Sequence, residues 1–94
     1  MKGSYIYILT NRQRTVFYTG VTGNFVRRMQ AHILGKGSVF CRKYNVNILV
    51  YYELFIDIQS AIKREKQIKG WKREWKIALI KTRNPDLKNL FHIK

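Results

Sequence analysis

A chain of 94 residues with 46% hydrophobic and 14% aromatic content can build one modest core, so a second domain is not expected and residues 1–94 read as a single domain. Nineteen Lys and Arg stand against five Asp and Glu, a formal charge of +14 spread over most of the sequence, and like charges at that density call for a polyanionic partner. No long apolar run or lipidation signal appears, which favours nucleic acid over a membrane surface.

The N-terminus runs directly into strand-like sequence without a signal or transit pattern. Cys41 is alone, which excludes an internal disulfide or a cysteine zinc cluster and suits a reducing cytoplasm. Tyr5-Ile6-Tyr7-Ile8-Leu9 and Thr15-Val16-Phe17-Tyr18-Thr19-Gly20-Val21 are aromatic and β-branched, and they read as an antiparallel hairpin. A four-residue loop over Asn11 to Arg14 pairs Thr10 with Thr15, Leu9 with Val16, Tyr7 with Tyr18 and Tyr5 with Gly20. In that register Ile6, Ile8 and Phe17 fill the core face while the two tyrosines look out. Such a tyrosine pair is either an ordinary cross-strand contact or part of a site. Gly20 leaves a bare patch of backbone that a ligand could approach.

Asn24 is a suitable N-cap for a helix from Phe25 to about Leu34, whose apolar face holds Phe25, Met29 and Ile33. His32 falls inside that face and Arg28 on its border, four residues apart, whereas Arg27 points nearly opposite. A histidine there is commonly a hydrogen-bonded core residue, but the neighbouring guanidinium wants a carboxylate or phosphate. Gly35-Lys36-Gly37-Ser38 reads as a basic turn, and Val39 to Tyr44 as a short helix or irregular connection. Its Arg42 and Lys43 suit phosphate contacts or plain solvation. Val46 to Phe55 is a third strand, more continuously apolar than the others.

Asp57 caps a helix that reaches Trp71. Ile58, Ala61, Ile62 and Ile68 share one face, and Glu65 lands in the middle of that stripe. A carboxylate aimed at a core needs a cation, a metal or several donors. The plainer reading is an i,i+4 pair with Lys69, worth a few tenths of a kcal/mol. A further stripe through Trp71, Trp75, Ala78 and Leu79 predicts a last helix with the tryptophans as core anchors. Asn84-Pro85-Asp86 stops it, and Leu87, Leu90 and Phe91 fold back as a tail.

Tyr7, Tyr18, Arg28, His32 and Glu65 therefore sit awkwardly for pure structure. One carboxylate can anchor a hydrated Mg²⁺ whose other contacts are phosphate oxygens. An arginine can hold phosphoryl oxygens as charge builds, and a tyrosine or histidine can take a proton from water. A tyrosine base needs cations or hydrogen bonds that favour its phenolate.

In order and spacing these residues resemble the GIY-YIG endonuclease superfamily, in particular its small stand-alone members, from Tyr5 to about Leu90. Tyr5-Ile6-Tyr7 corresponds to the first motif and Tyr18-Thr19-Gly20 to the second. Arg28 and His32 fall on the family's arginine–histidine helix, Glu65 on its metal-binding glutamate, and Asn84 on its late asparagine. Tyr5 stands for the first glycine, Thr19 for the middle isoleucine, and Val21 where some members carry a lysine. The resemblance implies an α+β fold, a three-stranded antiparallel sheet flanked by helices. It also implies one-step hydrolysis of phosphodiesters with one Mg²⁺ or Mn²⁺ ion on Glu65. Arg28 would take the scissile phosphate, Tyr7 and Tyr18 the water, and His32 proton transfer, with Gly20, Arg42, Lys43, Lys69 and Asn84 as candidate substrate contacts. The expected partner is nucleic acid, most simply DNA, met by a monomer or weak homodimer with one active site per chain. The alternatives are a catalytically weak or inactive binding module of the same fold, or a small basic RNA- or ribosome-associated protein.

Overall fold

Asn11 decides how the first two strands meet. In the computed structural model, which describes residues 3–91, its side-chain oxygen accepts from the amides of Thr15 (2.8 Å) and Val16 (3.2 Å), and its amide donates to Thr15 Oγ1 (2.8 Å). Those donors are thereby taken from the strand ladder, and Arg14 turns the chain with φ 59. The hairpin consequently closes at Thr10↔Phe17, not at Thr10 and Thr15, between β1 (Ser4–Thr10) and β2 (Phe17–Thr22). Tyr7 faces Gly20 and Tyr18 faces Leu9, two residues away from the expected pairing. A shift of two preserves which side each residue faces, so both tyrosines stay on one side of the sheet.

The third strand, β3 (Ile48–Phe55), pairs antiparallel with the other edge of β1, giving the order β2-β1-β3. Its register slips between Ile8 and Leu9, leaving Val50 as a bulge. Both faces are covered. Ile6, Ile8, Val50 and Tyr51 pack against Ala61 and Ile68 of α3 (Ile58–Lys69) and Ile80 of α4 (Arg73–Lys81). Tyr7, Leu9 and Leu49 pack against Met29 of α1 (Phe25–Ile33) and Cys41 of α2 (Val39–Tyr44). The outward-looking tyrosine pair expected from one core face is thus corrected: α1 roofs the second face, Tyr7 is fully buried and Tyr18 half-buried.

Two helix starts follow the caps read from the sequence, Asn24 and Asp57, and Ser38, in a segment expected to be a turn, caps a third. Asn24 accepts from Arg27 N (3.3 Å), Ser38 from Cys41 N (3.2 Å) and Asp57 from Ser60 N (2.7 Å). Trp71 lies in the bend before α4 and packs against the first core, but Trp75 is 56% exposed, contrary to its expected role as an anchor. Of the expected stripe, Trp71 and Leu79 pack on the core beside the fully buried Ile80, while Trp75 and Ala78 stay exposed. After α4 the tail folds back: Leu90 N donates to Leu49 O (2.8 Å), Arg14 holds Leu87 O (2.9 and 3.2 Å), and Phe91 packs beneath α1. No helix among the described residues is long and apolar enough to cross a membrane.

Candidate active site

The ring of Tyr7 lies directly on Gly20, where any Cβ would collide with it. The glycine therefore makes room for a tyrosine, and the ring covers the backbone that had been expected to stay open to a ligand. Tyr18, diagonal to Tyr7 across the strands, has its ring centroid 6.4 Å away. From α1, His32 brings its Nε2 to 3.2 Å from Tyr7 Oη and its ring to 6.1 Å from Tyr18. His32 is 5% exposed, its Nδ1 has no partner, and its Nδ1 edge abuts Gly37 so closely that a Cβ there would strike the ring. The hydrogen bond to Tyr7 and the close contact with Gly37 hold the orientation of this imidazole.

Arg28, one turn earlier on α1, lies close enough to Tyr7 and His32 to shift both. Burial drives Tyr7 well above the ordinary phenol range, Tyr18 adds to the rise, and Arg28 offsets only part of it. Burial and then Arg28 lower His32, so its neutral form is favoured. The phenolate that a tyrosine base would need is therefore disfavoured at Tyr7 despite the nearby guanidinium. Arg28 also lines a cavity of about 430 Å³ with Thr22, Gly23, Asn24, Ala31 and Arg27. Arg27, expected to point away, is exposed as foreseen yet borders the same cavity.

Glu65 enters from the opposite helical layer, along α3, which packs against both β1 and edge strand β2. It is 7% exposed, and its Oε2 sits 2.6 Å from Lys69 Nζ. That ammonium lies 5.9 Å from the centre of the Tyr18 ring. The two distances put the carboxylate oxygen within a nanometre of Tyr18, so the acid is neither solvent-facing nor remote. The hydrogen bond from Glu65 raises Lys69 above its ordinary value. Glu65 thus makes the expected i,i+4 pair with Lys69, and the ammonium of that pair stands over the Tyr18 ring.

Among the described residues, no three His, Cys, Asp or Glu side chains gather as a metal cage. A lone buried carboxylate fits a hard cation that keeps its waters and shares phosphate oxygens. Lys69 already holds one of its oxygens.

Phe40 of α2 stacks on Tyr18 (5.9 Å), Tyr44 packs tilted against Phe40 (4.9 Å), and Lys43 Nζ lies 5.5 Å from the centre of the Tyr44 ring. Arg42 and Lys43 are exposed beside this row of rings. Neither Phe40 nor Gly37 stood out in the sequence, although the i,i+4 aromatics of α2 were a usable signal. Asn84 stands apart from the cluster: its amide donates to Val50 O and Lys88 O (both 2.9 Å), and its oxygen accepts from Lys88 N (3.0 Å). It ties the tail to β3, so its expected place among the substrate contacts is corrected.

The chain matches the GIY-YIG catalytic domain over residues 3–78. It is 34% identical over 83 residues to a UPF0213 protein of Staphylococcus haemolyticus, covering 88% of this chain and 100% of that one. It is 38% identical over 87 residues to a UPF0213 protein of Syntrophus aciditrophicus, covering 92% and 98%. The solution NMR structure of a UPF0213 protein from Bacillus halodurans superposes with a TM-score of 0.59 at 29% identity, over 95% of this chain and 93% of that one. Fold, motif order and these likenesses agree, and the chain belongs to the GIY-YIG catalytic domain family.

Proposed function

We propose that this domain is an endonuclease that hydrolyses phosphodiester bonds in nucleic acid, DNA in the first instance, with the help of one Mg²⁺ or Mn²⁺ ion. The observation that carries this reading is the position of Lys69 Nζ, against Glu65 on one side and over the Tyr18 ring on the other, which joins the two halves of the fold at one site.

Arg28 at the cavity wall holds the non-bridging oxygens of the scissile phosphate. Tyr7 acts as a neutral phenol. Its oxygen accepts a proton from the attacking water while its own proton passes to Nε2 of neutral His32, 3.2 Å away. The new P–O bond forms from that water, the bond to the departing sugar oxygen breaks, that oxygen takes a proton from solvent water, and His32 afterwards returns its own to solvent, leaving a phosphate monoester and an alcohol. A divalent ion on Glu65 would supply charge neutralisation at the phosphate. Tyr18 positions the water beside Lys69, and Arg42 and Lys43 on α2 contact flanking phosphates.

A second reading, a binding module of the same fold without turnover, has one observation in its favour: Glu65 already has a cation in Lys69. Cleavage of supercoiled plasmid and of branched DNA, with and without Mg²⁺ or Mn²⁺, separates the two. The nuclease reading expects metal-dependent cutting that falls on the order of 10²–10³-fold in Arg28→Ala and is lost in Glu65→Ala, with binding retained in both. A wild-type protein that binds yet cuts nothing across metals and substrates leaves only the second reading.

A further inference from the structure

Trp75 is a large aromatic ring that the fold leaves 56% exposed. It meets Trp71 edge to face at 6.3 Å, and Trp71 is braced by the Arg64 guanidinium 5.4 Å from its ring. With Ala78, Leu79 and Thr82 the two indoles line an open apolar groove of about 360 Å³. On the α4 wheel, Lys72 and Lys76 flank one side of this stripe and Lys81 the other. Lys76 and Arg73 border the next cleft, with Val16 and Phe17. Lys76 lies close enough to Lys69 for the two ammonium groups to repel, which brings basic charge from the groove side of α4 to the edge of the candidate active site, and Glu74 is the one acid on α4.

A second copy of this chain is a poor occupant for such a surface, because each copy carries +14. A nucleic-acid strand meets both of its features, bringing phosphates to the lysines and a flat base to the indole. We propose that the Trp71–Trp75 groove binds an unpaired base of a nucleic-acid strand whose phosphates run along Arg73 and Lys76 towards Lys69. The preferred substrate then has unpaired nucleotides next to the cut, as a flap, bubble or branch does. This direction of the strand rests on the nuclease reading, whereas the stacking site itself does not.

The two tryptophans are the only ones in the chain, so their emission reports the groove directly. Metal-free protein is titrated with a thymidine 15-mer and with an abasic deoxyribose-phosphate strand of the same length. The thymidine strand should quench the emission and the abasic strand should bind with little change. Trp75→Ala, at a largely exposed position, should bind the thymidine strand roughly 5- to 150-fold more weakly and the abasic strand as wild type does. Trp75→Phe should recover most of the difference. Equal affinities of wild type and Trp75→Ala for the thymidine strand would overturn the proposal, as would a wild-type dimer in sedimentation equilibrium that Trp75→Ala dissolves. Because no metal is present, the result is independent of whether the protein cuts.

Discussion

Gly37 and His32 make the sharpest case at the scale of single residues. Gly37 lies against the Nδ1 edge of the ring whose Nε2 meets Tyr7, so a methyl at position 37 must push the imidazole out of place. Gly37→Ala should lower kcat by about 10²-fold, the usual consequence of a displacement near 1 Å in a reacting group. DNA affinity should stay near wild type, and single-turnover cleavage beside a binding titration checks both. The depressed His32 also fixes a sign in pH. A histidine that must be neutral to accept a proton remains so somewhat below its ordinary 6.5, so the acid limb of the rate profile should fall below that value. For stability, the unfolded chain takes up this proton more readily, so the histidine's contribution is whole above pH 6.5 and is lost as pH falls below it. Tyr51 works in the other direction. Burial and then Glu53 push it up to about 12 from 10.0, so its contribution is whole below pH 10.0 and is lost as pH rises towards 12. Tyr51→Phe should flatten alkaline destabilisation in denaturant titrations above pH 10.0; an unchanged slope would show that another group governs it.

At the scale of elements, the tail depends on Asn84. Alanine there removes three hydrogen bonds and strands the buried carbonyl of Val50, at a cost of about 1–3 kcal/mol. With about 4–8 °C per kcal/mol for a domain of this size, thermal melting should shift by several degrees or more. A variant that melts with wild type would remove the strap between tail and β3. Caps and stripes made most elements legible: Asn24 and Asp57 start α1 and α3 where the sequence placed them, and Glu65 with Ala61 and Ile68 lies on the buried side. The hairpin register was not legible, because it depends on a side chain, Asn11, taking amide partners that strand pairing would otherwise use. Trp75 misled for a related reason. Apolar spacing identifies a helical face but does not say how far another layer covers it: Leu79 of that face packs on the core beside Ile80, while Trp75 and Ala78 lie beyond the covered part. Of the candidate site, the tyrosines, Arg28, His32 and Glu65 were picked out by chemistry and order, whereas the burial that disfavours a Tyr7 phenolate needed α1 closed over the sheet.

For the whole molecule, +14 on 94 residues makes binding salt-dependent, and the slope counts phosphate contacts. Each cation that meets a phosphate of duplex DNA contributes about 0.9 to the fall of log K with log salt. Arg27→Ala, which removes a cation from the wall of the cavity beside Arg28, should make the slope shallower by roughly that amount at every sequence tested. Glu65→Gln should act the opposite way. It deletes one of only five acids and leaves Lys69 without its carboxylate, so the ammonium turns to the phosphate and the slope steepens by about 0.9 while cutting is lost. Tighter binding with lost cleavage separates a carboxylate that acts in the reaction from one that only balances a lysine. If Glu65→Gln binds with the wild-type slope, Lys69 does not reach the strand, and the link between α3 and the tyrosines is structural. Under the nuclease reading a single copy carries one site and cuts one strand per visit, so nicked circles should accumulate from supercoiled plasmid well before linear DNA appears, whereas linear DNA formed together with the nicked circles would point to two copies acting as one.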